Sequence, residues 1–253
     1  MKSTVILLLL MFATLSISAP ATSQELVLYY PFEGAGATVT DESGNGNDGE
    51  FDTDPAQRVD SLSPRHGTAL KFTSTERIVI PESDSLNVEG EISFVMWLKL
   101  ADEVGGTGTL PRIISRDGDQ HELAMDSGHI TRGNFAYYFG GNPSWTTGMP
   151  VDQEWRHIAV TFDGSEFKIY LDGEEAAQLP SAAAKSFTGS VYIGSRHNGM
   201  AEAYAGLLDE LAIYAGALDQ PKIQEIIDGG VLDQLPVDAA GRLAHVWANL
   251  KKR

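Results

Sequence analysis

The sequence predicts an all-β chain of the sandwich or barrel kind, and three features carry that expectation. Short apolar or alternating runs recur along most of its length, turn dipeptides such as Asp163-Gly164 and Asp172-Gly173 separate them, and helical periodicity is confined to the end of the chain.

The first segment is read as an export signal rather than as part of the fold. Met1-Lys2 is a short basic start, Val5 to Leu10 is unbroken apolar, and Ala21-Thr22-Ser23 supplies small residues for cleavage after Ser23. The apolar stretch is short for a bilayer span and no stop-transfer pattern follows, so a cleaved signal over 1–23 fits better than a retained anchor. A secreted, periplasmic or extracellular location follows as the expectation. With no cysteine in the chain, disulfides, thiol nucleophiles and cysteine-ligated zinc are excluded.

Leu26 to Tyr30 opens the mature chain as a strand and stops at Pro31. Ala69–Phe72 and Arg77–Ile80 are short strands. Ile92 to Leu100 is long, with Ile92, Phe94, Met96, Leu98 and Leu100 on one face and a partly apolar second face, the pattern of a central strand. Strands follow at Arg112–Ser115, Glu122–Met125 and Asn134–Phe139. Trp155 to Phe162 alternates: Trp155, His157, Ala159 and Thr161 lie opposite Ile158, Val160 and Phe162. Glu166–Leu171, Val191–Gly194 and Gly206–Tyr214 complete the strands. Near the end, Asp219 reads as the N-cap of a helix with Pro221 in its first turn, an apolar face of Ile223, Ile226 and Ile227, and Gly229-Gly230 as the stop. The remaining tail carries Leu243, Val246, Trp247 and Leu250 at helical spacing, fitting either an amphipathic helix or a frayed extension. The expected organisation is a signal peptide over 1–23, one large β domain over 24–218, and a C-terminal helix and tail over 219–253.

The net charge of −17 disfavours nucleic acid and anionic membrane surfaces as partners. It suits calcium, neutral sugars or basic partners, and equally simple solubility.

Four ordered segments carry a family resemblance. Leu28-Tyr29-Tyr30-Pro31-Phe32-Glu33 with the loop Asp41-Glu42-Ser43-Gly44-Asn45-Gly46-Asn47-Asp48-Gly49 comes first, followed by Phe94-Val95-Met96-Trp97-Leu98-Lys99. Trp155 to Gly164 with Tyr170-Leu171-Asp172-Gly173 is third, and Gly206 to Tyr214 closes the set. Together they resemble the laminin-G-like, concanavalin A-like jelly-roll domains of secreted bacterial proteins, over roughly residues 26 to 228. The resemblance implies an antiparallel two-sheet jelly-roll sandwich, often with a bound calcium ion, and leaves the ligand open because the superfamily holds both lectins and glycosidases. It also makes Trp97 and Trp155 core positions.

The Asp41 loop packs oxygen donors between glycines, as calcium's six to eight oxygens require, although it lacks the terminal glutamate of an EF-hand. The expected metal set is Asp41, Asn45, Asn47 and Asp209, the last carried over from the resemblance, and the ion's role is structural. The alternative is a loop closed by its own side-chain hydrogen bonds, with Asp209 bonded to the backbone. Glu210, on the opposite face from Asp209, is expected in solvent or paired with a basic residue.

Catalytic patterns are missing from the sequence. No E-x-D-x-x-E strand supplies the carboxylates of a laminarinase-type site, and no G-x-S-x-G elbow occurs. His157 reads as a hydrogen-bonded interior residue, and His66, His121, His129 and His197 have no metal-ligand spacing. For a ligand, an aromatic platform with planar polar groups is expected from Trp145, Tyr138, Arg196 and Asn198, with only one of Tyr137 and Tyr138 on the outward face. The function expected is a secreted, non-catalytic, calcium-stabilised module for carbohydrate binding or adhesion, its partner a glycan or an extracellular protein. The alternatives are a protein-interaction domain using the tail around Trp247, and an atypical glycoside hydrolase.

Overall fold

The structure is a computed structural model and describes residues 24–63, 66–103, 105–117, 121–128, 131–138, 146–180 and 187–234. In chain order the strands are β1 (Glu25–Tyr30), β2 (Thr38–Val39), β3 (Gly49–Phe51), β4 (Gln57–Asp60), β5 (Thr68–Thr73), β6 (Ile78–Ile80), β7 (Ile92–Leu100) and β8 (Arg112–Arg116). They continue as β9 (Glu122–Asp126), β10 (Asn134–Tyr138), β11 (Thr146–Pro150), β12 (Arg156–Phe162), β13 (Glu166–Leu171), β14 (Glu174–Pro180), β15 (Val191–Ile193) and β16 (Ala205–Ala215). One helix, α1 (Gln220–Gly229), follows.

These strands form two antiparallel sheets. The first runs β14-β13-β12-β7-β16-β5-β4, with β1 also paired to β16, and the second runs β11-β10-β9-β8-β15-β6-β3-β2. The long run predicted as central is central: β7 lies between β12 and β16. Its inward set of Ile92, Phe94, Met96, Leu98 and Leu100 joins Ile158, Val160 and Phe162 of β12 and Ile113, Leu123 and Phe135 of the second sheet in one core. Burial of that shared apolar face against water is what holds two such sheets together.

The outward face of the first sheet is also partly covered. Val95, Ala159, Tyr170, Ala212 and Tyr214 form a second apolar cluster with Leu26, Tyr29, Leu218, Ile223 and Ile226. The helix is therefore docked on the sheet, as its amphipathic pattern requires. Asp219 caps it through a bond from Lys222 N at 2.9 Å, and Gly230 at φ +98° takes the chain out of it. Two turns also follow their residues. Asp172 (φ 51°) and Gly173 (φ 86°) are both left-handed, the geometry that links β13 to β14 with two residues. Asp163 Oδ1 accepts from Ser165 N and Glu166 N at 2.9 and 2.8 Å, closing the β12–β13 turn.

Candidate functional site

Strand register assembles the site. In β16, β7 and β12, Asp209 stands opposite Trp97, and Trp97 stands opposite His157. Directly opposed residues share a face. Since Met96 and Leu98 point into the core, Trp97 points outward, and the same alternation sends His157 outward beside it. Trp97 is half-buried on this outer face, which corrects the expectation that it is a core residue. Trp155, also expected in the core, lies just before β12 and is partly exposed.

A β-bulge shapes the same spot. Between Asp209 and Ala212, β16 carries one residue more than β7, and Glu210 takes φ +50°. A bulge bends its strand and re-aims a side chain. Here it buries Asp209 and leaves Glu210 half-buried at the wall of a cleft. Glu210 Oε2 accepts from the Tyr29 hydroxyl at 2.5 Å. Asp209 accepts from the Ser61 hydroxyl and, at 2.9 Å, from Glu210 N. Burial, with the nearby Glu210 and Glu33 charges, outweighs those bonds and pushes the Asp209 carboxyl up to about 8. Among the described residues no base pairs with it, and protonation at neutral pH meets the cost of burying this acid.

The cleft is about 140 Å³ in volume. Its floor is Tyr29, Trp97, His157 and Glu210 from the sheet, and His66 reaches in from the β4–β5 connection. Ile226 and the segment Gly229–Asp233 form the opposite rim. Trp97 is flanked edge-on by His157 at 5.2 Å and by His66 at 5.7 Å between ring centroids. His157 is 1% exposed, and its Nδ1 has no hydrogen-bond partner. Burial alone holds its imidazole down to about 3, so the ring is neutral at physiological pH.

A second polar cluster is the Asp41 loop. Asp41 Oδ1 accepts from Tyr29 N at 3.0 Å and Ser43 N at 2.9 Å, while Oδ2 accepts from Ser43 Oγ at 2.8 Å and Asn47 N at 2.9 Å. Asn47 Nδ2 donates to Val27 O at 2.9 Å, and its Oδ1 accepts from Ser83 and Ser85 hydroxyls at 2.6 and 3.1 Å. Asn45 Nδ2 donates to the Leu26 and Val27 carbonyls at 2.9 and 3.0 Å. Both carboxylate oxygens of Asp41 and the amide oxygen of Asn47 are thus engaged twice each.

Comparison with known proteins follows from this architecture. A family model described as Concanavalin A-like lectin/glucanases superfamily, of laminin G type, matches residues 72–224. The chain belongs to this family. The superfamily resemblance drawn from the sequence is therefore shown, and so is the jelly-roll fold. No curated protein matches the sequence. Among solved structures, domain 4 of AbnA, a GH43 extracellular arabinanase from Geobacillus stearothermophilus, in complex with arabinotriose, is similar at TM-score 0.64 and 20% identity, covering 81% of this chain and 99% of that one. The binding domain of Paraclostridial Mosquitocidal Protein 1 is similar at TM-score 0.63 and 15% identity, over 80% of this chain and 51% of that one. The binding domain of botulinum neurotoxin DC, in complex with rat synaptotagmin II, is similar at TM-score 0.61 and 11% identity, over 82% of this chain and 52% of that one. The chain spans about half of each toxin binding domain.

Within this concanavalin A-like frame the expected site residues separate. Asp41, Asn45 and Asn47 are together, but Asp209 bonds Ser61 and its own neighbour instead of the opening loop. Among the described residues, no three or more His, Cys, Asp or Glu side chains gather as a metal set. The four expected ligands do not fit an ion in this arrangement without giving up the loop's hydrogen bonds. Tyr137 turns into the core and bonds His121 Nδ1 at 3.0 Å, so Tyr138 takes the outward face. Arg196 pairs with Glu202 at 3.5 Å in the turn after β15, and Asn198 is exposed in that turn. Strands β9 and β8 lie between Tyr138 and this turn, roughly 14 Å of sheet, so the two are not one site. Trp145 and Trp247 lie outside the described residues, as do residues 1–23. Sequence reasoning missed the Trp97, His157, His66, Glu210 and Tyr29 constellation.

Proposed function

We propose that this chain is a non-catalytic carbohydrate-binding module of an exported protein, and that the Trp97 cleft is its sugar contact. The cleft carries this reading. A half-buried indole lining the cleft beside two imidazoles brings apolar surface for the C–H groups of a sugar ring, and Glu210 in the same lining brings a polar partner for hydroxyls. Its volume, about that of five waters, suits one sugar ring rather than a long chain. The arabinotriose complex of the similar arabinanase domain, and the binding domains of the toxins, support a binding role on this fold.

Catalysis is not part of the proposal. Glu210 is tied to Tyr29 and Asp209 is buried beside it, so they do not flank a substrate as an acid and base pair does. The segment around Trp145 is kept as a second sugar contact and export over 1–23 stays as a proposal, both resting on the sequence; a structural calcium ion at the Asp41 loop is not carried forward, because the Asp41 and Asn47 side-chain oxygens are already taken by hydrogen bonds.

A glycan array of the mature chain tests the reading. Binding that Trp97→Ala abolishes, in a protein that still melts cooperatively, is the expected result. Binding lost in Trp145→Ala but kept in Trp97→Ala moves the site to that loop. A blank array overturns the carbohydrate reading, and release of reducing sugar by the pure protein overturns the non-catalytic one.

A further inference from the structure

We infer that Asn198, and not Asn45, is a site of spontaneous modification: its side-chain amide is lost to attack by the Gly199 backbone nitrogen, leaving aspartate and isoaspartate at this position. Asparagine is a thermally labile residue type, and a following glycine, with no side chain, leaves the attacking nitrogen unhindered. Two of the chain's asparagines precede glycine, Asn45 and Asn198. Neither lines the Trp97 cleft, so the site stands apart from the sugar reading.

The fold separates the two. Asn45 Nδ2 donates to the Leu26 and Val27 carbonyls at 2.9 and 3.0 Å and to Ser43 Oγ at 3.2 Å. The chain on either side is tied to the Asp41 carboxylate through Ser43 N and Asn47 N, both at 2.9 Å. Asn198 is exposed in the turn after β15, and its side chain makes no hydrogen bond among the described residues. The glycines do not distinguish the sites: Gly46 and Gly199 have φ +76° and +143°, and a Cβ at either would meet no atom within 4 Å. At Asn198 one bond opposes the attack, from Gly199 N to Arg196 O at 3.2 Å, the long end of the usual N–H···O range.

The step balances with water as its only co-reactant. Gly199 N forms a bond to Asn198 Cγ, the Cγ–Nδ2 bond breaks, and ammonia leaves with the proton from Gly199 N. Water then opens the cyclic imide at one carbonyl or the other, giving aspartate or isoaspartate. For Asn45 the same closure first has to release the side chain from the Leu26 and Val27 carbonyls and turn a loop that Asp41 holds on both sides. Each product at residue 198 adds a negative charge next to Arg196, which pairs with Glu202 at 3.5 Å. Isoaspartate also lengthens the backbone of the turn by a methylene.

Ageing the full chain at physiological temperature in mildly alkaline buffer, with and without urea, followed by peptide mapping that separates aspartate from isoaspartate, tests this. In the folded chain, conversion at Asn198 is expected to run at least about tenfold faster than at Asn45, the ratio set by one to two net hydrogen bonds. In urea, where both asparagines lose their folded surroundings, the two rates should converge. Asn198→Gln, at an exposed position, should abolish the product there with Tm unchanged, because the longer side chain carries its amide away from the favoured ring closure. Equal rates in the folded chain, or faster conversion at Asn45, overturn the assignment. An Asn198 that stays intact in the folded chain while the urea-unfolded chain converts overturns it as well. A preference for Asn198 that persists unchanged in urea does so too, since the fold would then not be what protects Asn45.

Discussion

Asp41 collects four hydrogen bonds on two oxygens, and three of the donors are backbone N–H groups, those of Tyr29, Ser43 and Asn47. Removing the carboxylate strands those buried donors at about 1–3 kcal/mol each. Asp41→Ala should therefore cost about 3 kcal/mol or more in urea unfolding, in chelator as well as in calcium; a cost below about 1 kcal/mol would mean the loop is held some other way. His157 makes a prediction of opposite character. Its folded-state value of about 3 lies below the ordinary histidine value of about 6.5. Between those two values the unfolded chain takes up a proton that the folded chain refuses. Stability is unaffected above about 6.5 and falls as pH drops from there toward 3. Thermal melts of His157→Phe and the wild type should diverge in the variant's favour as pH is lowered through 6, and parallel curves would contradict the buried neutral imidazole. Both residues stand out in the sequence, but what they touch does not. The Asx-rich loop is legible as a loop, yet calcium and self-bonding ask for the same residue types, and only the positions of the donors separate them.

At the scale of elements, the helix is the clearest case of local sequence fixing structure. Its cap, proline, apolar face and glycine stop are all local signals, and each is found where expected. Asp219→Ala should lose about 1 kcal/mol with the cap, and Ile223→Ala about 2–4 kcal/mol from the outer cluster. Because Ile226 and Gly229–Asp233 line the cleft, Ile223→Ala should also weaken ligand binding while Asp219→Ala does so less; equal losses would separate the helix from the site. Strands were legible where alternation was strong, as in β7 and β12. Those missed were short, polar or both: β2 has two residues, β3 is Gly-Glu-Phe, β4 is Gln-Arg-Val-Asp, and β11 opens with Thr-Thr-Gly. β14 begins Glu-Glu-Ala-Ala-Gln, a helix-favouring composition that becomes a strand only because the Asp172-Gly173 turn lays it against β13. The outward aspect of Trp97 was written in β7 itself. Five inward apolar residues on even positions leave Ser93, Val95, Trp97 and Lys99 outside. What no single strand reveals is the register that sets Trp97 beside His157, or the bulge that frees Glu210 from the alternation.

For the molecule as a whole, the fold follows from two sheets sharing a core, with the helix closing part of an outer face. The cleft exists because that covering is incomplete: the helix ends at Gly229 and leaves Trp97 half-buried. The closed hydrogen bonding of the Asp41 loop gives a global prediction about calcium. Melting in calcium and in chelator at matched ionic strength should superimpose, whereas a Tm rise with calcium that Asp41→Ala abolishes would place an ion in the loop. The central claim is that ligand meets Trp97, and the most direct measurement is a titration of 15N-labelled protein with the sugars that bind on the glycan array, following the assigned indole N–H signals. The Trp97 indole should shift saturably with such a sugar while that of Trp155, which does not line the cleft, stays in place. A saturable shift elsewhere with the Trp97 signal unmoved would contradict the account.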